Sequence, residues 1–288
     1  MKKFLLQLSV FFLLPLVYFG VNMGVNHYFN KHAMPKVKQT RILIIGDSHA
    51  QKGINPKWFA SANNIAQTAE PYVLSFWKLK AVLKVMHPDT VLIGFAPHNI
   101  SAFNDLKFSD EEWAAEMFKR CYTIQELKQI DQQVTVDYKA YWKTLWKQTA
   151  FYPKRNQVRY LGKFINKPVS KLSDCEKTIA RHYYLDEQPL GVSGFCVAYL
   201  DSIIAICLQH HIQPILVCPP VYSCYLEKIP TDINRSFQQI AEQYQTSGIP
   251  VINRLNAPYP DSFFYNSDHL NLQGADSFSK ELSQLFVH

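Results

Sequence analysis

The sequence lacks the short motifs by which several large enzyme classes are recognised. Only 10 of its 288 residues are glycine, and they form neither a phosphate-cradling loop nor a dinucleotide-binding fingerprint. Its histidines and cysteines do not have the spacing of zinc ligands. No internal repeat or low-complexity tract is present. These absences argue against nucleotide-binding, zinc-binding and repeat proteins, and we predict no cofactor and no metal.

The N-terminus lacks charge over a long stretch. Lys2 and Lys3 precede Phe4 to Val25, which contains no charged residue and is about as long as a bilayer core requires. We predict an uncleaved membrane anchor within residues 1–28. A cleaved signal peptide is the alternative, although no clear cleavage site follows. A polar, basic linker occupies residues 29–40.

The charges that flank this segment run against the positive-inside rule. The basic residues that follow it outnumber the two lysines before it, and they are Lys31, Lys36, Lys38 and Arg41. Long domains are translocated despite such charge. We therefore expect the body of the protein to lie outside the cytoplasm, with membrane lipid as a partner of the N-terminal helix.

The six cysteines fit that location only loosely. Cys207 and Cys218 lie in apolar segments and are predicted to be buried thiols. Cys121 and Cys175 lie in the polar middle of the chain and are candidates for a disulfide. The pairing is left open, because spacing alone does not define it.

Short apolar runs alternate with amphipathic segments along much of the chain. The predicted strands are Arg41–Ile45, Thr90–Phe95, Gln213–Cys218 and Ile249–Ile252. Helices are predicted from Pro71, over Phe195–His210 and Ser236–Gln245, and from about Leu272 to Leu285. This alternation predicts an α/β domain over 41–288, with a parallel sheet covered on both faces. Ligands of such sheets gather at the carboxyl ends of the strands.

Residues 101–190 interrupt this alternation and are predicted to form a helical insertion, a lid or a second lobe. Its two predicted helices lie near 110–130 and 136–149. Lys139 to Lys171 contains nine basic residues and no acid, interleaved with aromatic residues. Its exposed surface is interpreted as a solvated helix face, a surface for a sugar chain or anionic polymer, or a contact with anionic lipid headgroups. A nucleic-acid partner is not expected for an extracytoplasmic body.

The segment ILIIGDSHAQKGIN, residues 42–55, ends a predicted strand on Gly46 and then presents Asp47, Ser48 and His49. A serine hydroxyl becomes a good nucleophile only when a base, normally histidine, removes its proton. His269 lies in the polar loop FFYNSDHLNLQGA, just before the last predicted helix. A base in that loop could reach across the strand ends to Ser48.

This pair of motifs resembles those of the GDSL, or SGNH, hydrolases. The most similar branch has GDSH in the first motif, here Gly46 to His49, and a late DHLN-x-x-GA stretch, here Asp268 to Ala275. Its members are often membrane-anchored bacterial proteins, some of them linked to acylation of cell-envelope glycans. The resemblance covers about 41–100 and 195–288. It implies a three-layer, flavodoxin-like parallel sheet of the SGNH hydrolase type.

The resemblance also implies catalytic roles. Ser48 matches the nucleophile, with its backbone N–H as one oxyanion donor, and His269 matches the general base. The family has an acid three residues before the base, and Asn266 occupies that position here. We expect a Ser48-His269 dyad whose imidazole is oriented by Asn266 or by a nearby acid, either Asp268 or Asp261.

Two further family segments normally supply oxyanion donors, and both are altered here. The second segment is NNIAQTAEPY, which has no glycine, so a backbone N–H near Thr68 is the candidate. The third is GFAPHNIS, where Asn99 is the nearest candidate and His98 a second one. Loss of one such donor costs a few kcal/mol in the transition state.

These features predict a membrane-anchored serine esterase or O-acyltransferase that acts on acyl esters of cell-envelope glycans. A single-pass location in a bacterial inner membrane, with the body on the periplasmic or extracytoplasmic side, follows from the resemblance. The alternative is a catalytically weak protein of the same fold that binds glycans or serves envelope assembly. That alternative is motivated by Asn266 and by the missing glycine.

Overall fold

The computed structural model describes residues 1–155, 158–168 and 174–286, which belong to two compact units. The larger unit consists of Lys36–Lys107 and Tyr160–His288. The smaller unit consists of Met1–Pro35 and Phe108–Arg159. Lys171, the end of the basic stretch noted in the sequence, lies outside the described residues.

The larger unit is built on a parallel five-stranded sheet with the order β2-β1-β3-β6-β7. In the described chain the strands are β1 (Ile42–Ile45), β2 (Ala62–Asn64), β3 (Thr90–Gly94), β4 (Tyr184–Leu185), β5 (Gln188–Pro189), β6 (Gln213–Cys218) and β7 (Val251–Asn253). The short β4 and β5 form a separate antiparallel pair. In the large sheet the second strand lies at the edge beside the first, which is the flavodoxin-like order. The predicted α/β fold is therefore confirmed.

Helices are distributed over both units. Those of the described chain are α1 (Lys2–Lys31), α2 (Ser48–Gly53), α3 (Tyr72–Val82), α4 (Ala114–Cys121), α5 (Leu127–Asp131), α6 (Tyr138–Thr149), α7 (Cys175–Tyr183), α8 (Gly194–Gln209), α9 (Ser223–Lys228), α10 (Thr231–Thr246) and α11 (Leu272–Ser283). The smaller unit contains α1, α4, α5 and α6, and the larger unit contains the others.

An apolar core lies on each face of the large sheet. Because side chains alternate along a strand, Leu43 and Ile45 of β1 enter one core while Ile42 and Ile44 enter the other. The first core is closed by buried side chains of α3, α8 and α10, among them Leu79, Leu200 and Phe237. The second is closed by α2 and α11, through Ala50 and Phe278. Burial on both faces explains why β1 reads as a continuous apolar run.

Helix α1 is long and apolar enough to cross a membrane, by length and composition. Its C-terminal part also belongs structurally to the smaller unit. The Asn26 Nδ2 atom donates to the Thr149 and Tyr152 carbonyl oxygens at 2.7 and 2.9 Å. The Asn26 Oδ1 atom accepts from the Lys154 N–H at 2.7 Å. Removal of α1 would leave these three backbone groups without their partner.

A disulfide joins Cys175, at the start of α7, to Cys224 in α9. Of the two cysteines named as disulfide candidates, Cys175 is therefore bridged, whereas Cys121 is a buried free thiol of the smaller unit, so that the expectation for Cys121 is wrong. Cys207 and Cys218 are buried free thiols, as predicted. Burial raises the pKa of Cys207 to about 12, so this thiol is protonated and unreactive at neutral pH.

Candidate active site

Gly46 allows the chain to turn sharply where β1 ends. Its φ of +129° is one that side-chain-bearing residues rarely adopt, and a Cβ here would lie 3.1 Å from the Gly94 backbone. A Cβ on Gly94 would in turn lie 3.0 Å from the Ala50 Cβ. The two glycines let the first turn of α2 pack directly on β1 and β3. As a result Ser48, the first residue of α2, lies at the carboxyl end of the sheet.

Asp47 caps α2 and binds the turn that follows β3. Its Oδ1 accepts from the His49 N–H at 2.9 Å. Its Oδ2 accepts from Asn99 Nδ2 at 2.9 Å and lies 2.5 Å from His98 Nε2. Burial alone would raise the pKa of Asp47, but His98 and His49 outweigh burial and hold that pKa well below its usual value. Asp47 is therefore an ionised group that joins the ends of β1 and β3.

Asn99 and His98, the two candidate oxyanion residues, lie at this strand end and bind Asp47. The Asn99 Oδ1 atom also accepts from the Ala96 N–H at 2.8 Å. Burial lowers the pKa of His98, so its imidazole is neutral, with Nε2–H donated to Asp47. The His98 Nδ1 atom is buried and has no hydrogen-bond partner in the described chain. In this structure the His98 and Asn99 side chains therefore bind the Asp47 carboxylate.

Thr68, the third candidate oxyanion residue, is bound to α2. The Gln51 Oε1 atom accepts from the Thr68 N–H at 3.0 Å and from the Thr68 hydroxyl at 2.7 Å. An oxyanion role for this N–H would require the hydrogen bond to Gln51 to break. In this structure Thr68 therefore supports α2 through Gln51, and its role as an oxyanion donor stays a prediction.

His269 lies in the loop between β7 and α11. Its Nδ1 is 2.9 Å from both Asn266 Oδ1 and Asp268 Oδ1. Only the Asn266 oxygen lies in the direction required for a hydrogen bond, and Asp268 Oδ1 has no such partner among the described residues. Asp261, the other candidate acid, is exposed and accepts from the Tyr222 hydroxyl at 3.3 Å. Asn266 thus orients the ring, and Asp268 is its charged neighbour.

His49 brings the two halves of the site together. Its ring centroid lies 4.8 Å from that of His269, and its Nε2 lies 3.4 Å from Asp268 Oδ2. Since His49 directly follows Ser48, the start of α2 lies beside the His269 loop. Ser48 is 9% exposed and His269 is 6% exposed. The serine and the histidine therefore share one largely buried region at the carboxyl end of the sheet.

The protonation state of His269 suits a general base. Burial lowers the pKa of its imidazole to about 4, although the negative charge of Asp268 opposes this shift. The ring is therefore neutral at pH 7, with Nδ1–H donated to Asn266. Its Nε2 lone pair is buried and has no hydrogen-bond partner among the described residues. Burial would raise the pKa of Asp268, but His269 and His49 hold it well below its usual value.

Asp174 supports Asn266 from the side away from His269. The Asn266 Nδ2 atom donates to Asp174 Oδ2 at 3.1 Å, and the Ser267 N–H donates to Asp174 Oδ1 at 3.1 Å. Because its NH₂ group is bound to a carboxylate, the Asn266 amide oxygen must face the histidine. Asp174 precedes Asn266 by 92 residues and belongs to no recognisable motif, so it could not be identified from the sequence.

A further buried histidine, His182, was also missed. Its ring stacks on His98 with 4.9 Å between centroids, and its Nδ1 lies 2.7 Å from the Tyr225 hydroxyl oxygen. Burial holds the pKa of His182 well below its usual value. The residue lies within the region interpreted as an insertion, and no spacing signal links it to the site. Neutral His182 packs behind His98 and so fixes the position of the His98 ring.

One group of described residues has a donor set suited to a metal ion. Its members are His49, Asp268 and His269, whose ligand atoms lie within 4.8 Å of one another. Two imidazoles and a carboxylate are ligands that zinc accepts. A metal on this group would occupy His269, so the same side chain would no longer act as a general base. Metal binding and serine catalysis are therefore competing uses of the same residues.

No family model and no curated protein matches the chain. Among solved structures, it is similar to a Bacteroides fragilis protein provisionally described as an acylhydrolase, at 11% identity and a TM-score of 0.40, over 90% of this chain and 92% of that one. A Streptococcus pneumoniae protein provisionally described as a platelet activating factor is similar at 12% identity and a TM-score of 0.44, over 97% and 98%.

Proposed function

We propose that the chain is a membrane-anchored serine esterase or O-acyltransferase, with Ser48 as the nucleophile and His269 as the general base. One observation carries this proposal. His269 is neutral, its Nδ1–H is bound by Asn266, and its Nε2 is left as an unpartnered buried acceptor among the described residues. That is the state a base needs before it takes a serine proton.

The reaction follows from these roles. The Ser48 oxygen attacks the ester carbonyl carbon as the His269 Nε2 atom takes the hydroxyl proton. The carbon–oxygen bond to the alcohol then breaks, and His269 returns the proton to the leaving oxygen, which leaves an acyl group on Ser48. Attack by water on this acyl-enzyme gives hydrolysis. Attack by a sugar hydroxyl gives O-acyl transfer.

In a complete triad one acid both orients the imidazole and stabilises its positive charge, and here we assign the first role to Asn266 and the second to Asp268. The Asn266 oxygen fixes the imidazole tautomer and orientation, but a neutral amide stabilises the imidazolium less than a carboxylate does. The Asp268 carboxylate lies close enough to stabilise that positive charge electrostatically, with 2.9 Å between its Oδ1 and His269 Nδ1. Asp174 is a positioning residue that acts through Asn266.

The proposal includes a substrate class and a cellular location. Acyl esters of cell-envelope glycans fit a body outside the cytoplasm, and α1 supplies the membrane anchor. The Cys175–Cys224 disulfide supports this location, because such bonds persist mainly in oxidising compartments. The partners are therefore membrane lipid and an acyl-ester glycan.

A second candidate function is glycan binding without rapid catalysis. It is favoured by the hydrogen bonds that engage the Thr68 N–H with Gln51 and the Asn99 side chain with Asp47. If these bonds persist with substrate, the Ser48 N–H lacks the help of either expected oxyanion donor, which would slow acyl transfer by orders of magnitude.

A serine-reactive fluorophosphonate separates the two candidates. The full chain in detergent is the right sample, because Asn26 of α1 is bonded within the smaller unit. We expect labelling and acetyl-ester cleavage by the wild type and neither by Ser48→Ala. Ser202→Ala, at a half-buried position of α8, is the matched control and should retain both. Equal labelling of the wild type and Ser48→Ala, or no labelling of either, would exclude the serine nucleophile.

A chelator arm addresses the competing metal site. Under the serine proposal, EDTA leaves cleavage and labelling unchanged. Loss of cleavage with EDTA and its recovery with Zn²⁺ would instead assign His49, Asp268 and His269 as metal ligands.

A further inference from the structure

We propose that the exposed face of α6 lies at the membrane surface, with its aromatic side chains in the interfacial layer and its lysines on anionic lipid headgroups. This inference rests on the proposed membrane anchoring by α1 and adds a second, reversible lipid contact within the smaller unit. It assigns a binding partner to the basic and aromatic stretch that the catalytic proposal leaves unused.

Two adjacent stripes run along the exposed side of α6. Tyr138, Trp142 and Trp146 recur every four residues, and each is followed directly by a lysine, in order Lys139, Lys143 and Lys147. Residues four apart lie on the same side of a helix, so one stripe is aromatic and its neighbour is cationic. All six side chains are exposed, whereas Tyr141 and Thr144 of the opposite side are buried.

The aromatic stripe is continuous with α1. The Trp146 ring lies 4.9 Å from the Phe19 ring of α1, and the Phe151 ring, just beyond α6, lies 5.7 Å from it. The contact involves partly buried Phe19, while the preceding turns of α1 are exposed and apolar. The C-terminal end of α6 is therefore attached to α1 at a defined height along its length.

The position of Phe19 along α1 corresponds to the edge of a bilayer. The uncharged stretch begins at Phe4, and about 20 helical residues cross a hydrocarbon core. Phe19, Asn22 and Asn26 therefore fall near the far end of a span, and Asn22 and Asn26 turn their amides to carbonyl oxygens of residues 149–152. Aromatic rings near this level match the belt that tryptophan and tyrosine form at membrane interfaces.

Charge selects anionic lipid as the occupant. No acidic residue occurs between Tyr138 and Arg155, while that segment holds five lysines and arginines. An exposed helix with tryptophans beside lysines has the composition of helices that lie in the interface of anionic membranes. Trp142 is 56% exposed and Tyr152 is 60% exposed, an apolar surface that lipid would cover. A soluble anionic glycan would use the lysines but would not require attachment of the aromatic stripe to α1.

Tryptophan quenching by brominated lipid tests the aromatic contact. The full chain is reconstituted into vesicles of brominated lipid, and Trp142→Phe/Trp146→Phe is compared with the wild type. We expect the double variant to lose most of the bromolipid-dependent quenching, because it removes two of the five tryptophans, the two at the interface. Trp58→Phe, in the larger unit, is the matched control and should keep it. Equal fractional quenching in the wild type and the double variant would overturn the inference.

A charge variant tests the lipid headgroup contact. Raising the anionic lipid content from zero to about one third should increase quenching of the wild type, and Lys139→Gln/Lys143→Gln/Lys147→Gln should abolish that increase. Lys80→Gln/Lys84→Gln/Lys280→Gln removes three exposed lysines of the larger unit and should leave the increase intact. An increase retained by the α6 triple variant, or abolished equally by both triple variants, would contradict headgroup binding by α6.

Vesicle flotation separates this inference from the proposals it rests on. A chain that fails to float with vesicles lacks the α1 anchor, which overturns both membrane proposals. A chain that floats but shows no α6-dependent quenching overturns the α6 contact alone. Fluorophosphonate labelling of Ser48 reports the catalytic proposal independently of either result.

Discussion

Asn266 donates its side-chain amide to Asp174, with 3.1 Å between Nδ2 and Oδ2. A single Asn266→Asp substitution would therefore place two carboxylates in contact, and we expect it to give no gain in kcat, or a loss. The double variant Asn266→Asp/Asp174→Asn restores the hydrogen bond with its direction reversed and gives His269 a carboxylate. We expect it to raise kcat about tenfold or more over the wild type, measured as acetyl-ester cleavage.

Two further readouts show whether Asp174 acts through Asn266. Asp174→Asn alone should lower kcat, because the Asn266 amide loses the acceptor that fixes its orientation. The double variant should also move the pH midpoint of kcat/KM upward, since a new carboxylate favours the imidazolium form of His269. If Asn266→Asp alone performs as well as the double variant, Asp174 has no positioning role.

Much of the sheet could be predicted because its strands carry their own signal. β1, β3 and β6 are short apolar runs that end at Gly or Pro, and the structure places them where those runs lie. β2 was missed because Ala62–Asn64 has no strand-forming pattern of its own. It becomes a strand by parallel pairing with Ile42–Ile44, a tertiary effect that local propensity does not contain.

In the candidate site, too, some residues could be predicted from the sequence and others could not. Ser48 and His269 could be proposed because each sits in a recognisable local motif. Asp174 and His182 could not, because they come from loop and helix positions brought in by the packing of α7, which Cys175 also ties to α9. The engagement of Thr68 by Gln51 depends on side-chain direction within α2, which a family segment does not encode.

The low pKa of His269 predicts the pH dependence of the reaction. In the proposed reaction His269 must be unprotonated to accept the Ser48 proton, and burial lowers the pKa of His269 to about 4. We therefore expect kcat/KM to fall as pH drops through about 4 and to stay flat from about 5 to 7. Initial rates of ester cleavage between pH 3 and 8 measure this profile.

Folding must be followed in the same buffers. A histidine that is neutral when buried takes up a proton on unfolding below its ordinary pKa of about 6.5. Stability is therefore full above that value and declines as pH falls from about 6.5 towards 4. Circular dichroism shows whether a fall in activity at low pH comes from unfolding or from protonation of His269. A kinetic midpoint near 6.5 with the fold intact would mean that His269 is not buried in the active state.

The ion pair of Lys78 and Glu70 is expected to be important for stability. Both side chains are fully buried, with 2.6 Å between Lys78 Nζ and Glu70 Oε2, and Lys78 also donates to the Ile65 carbonyl oxygen. Lys78→Met leaves a buried carboxylate without its cation, so we expect a loss of about 3–5 kcal/mol in the free energy of unfolding. Chemical denaturation of the full chain in detergent measures this change.

Two variants show whether burial is the reason. Lys78→Met/Glu70→Leu removes both charges and should recover most of the lost stability. Arg41→Gln breaks a pair with Asp89 that is largely exposed, and we expect it to cost less than about 1 kcal/mol. Similar losses for Arg41→Gln and Lys78→Met would contradict the role assigned to burial.

Gly46 is expected to be irreplaceable even by alanine. Its φ of +129° is unfavourable for any residue with a Cβ, and that Cβ would lie 3.1 Å from Gly94 Cα and N. Both contacts are with the backbone of Gly94, the last residue of the central strand β3, so relief requires β1 or β3 to move. We expect Gly46→Ala to lose about 2 kcal/mol or more of stability and to displace Ser48, with a fall in fluorophosphonate labelling.

Gly191→Ala is the matched control, because no atom lies within 4 Å of its Cβ position among the described residues, and its effect should stay within about 0.5 kcal/mol. Equal stability and equal labelling in the two variants would show that the turn at Gly46 does not set the position of Ser48.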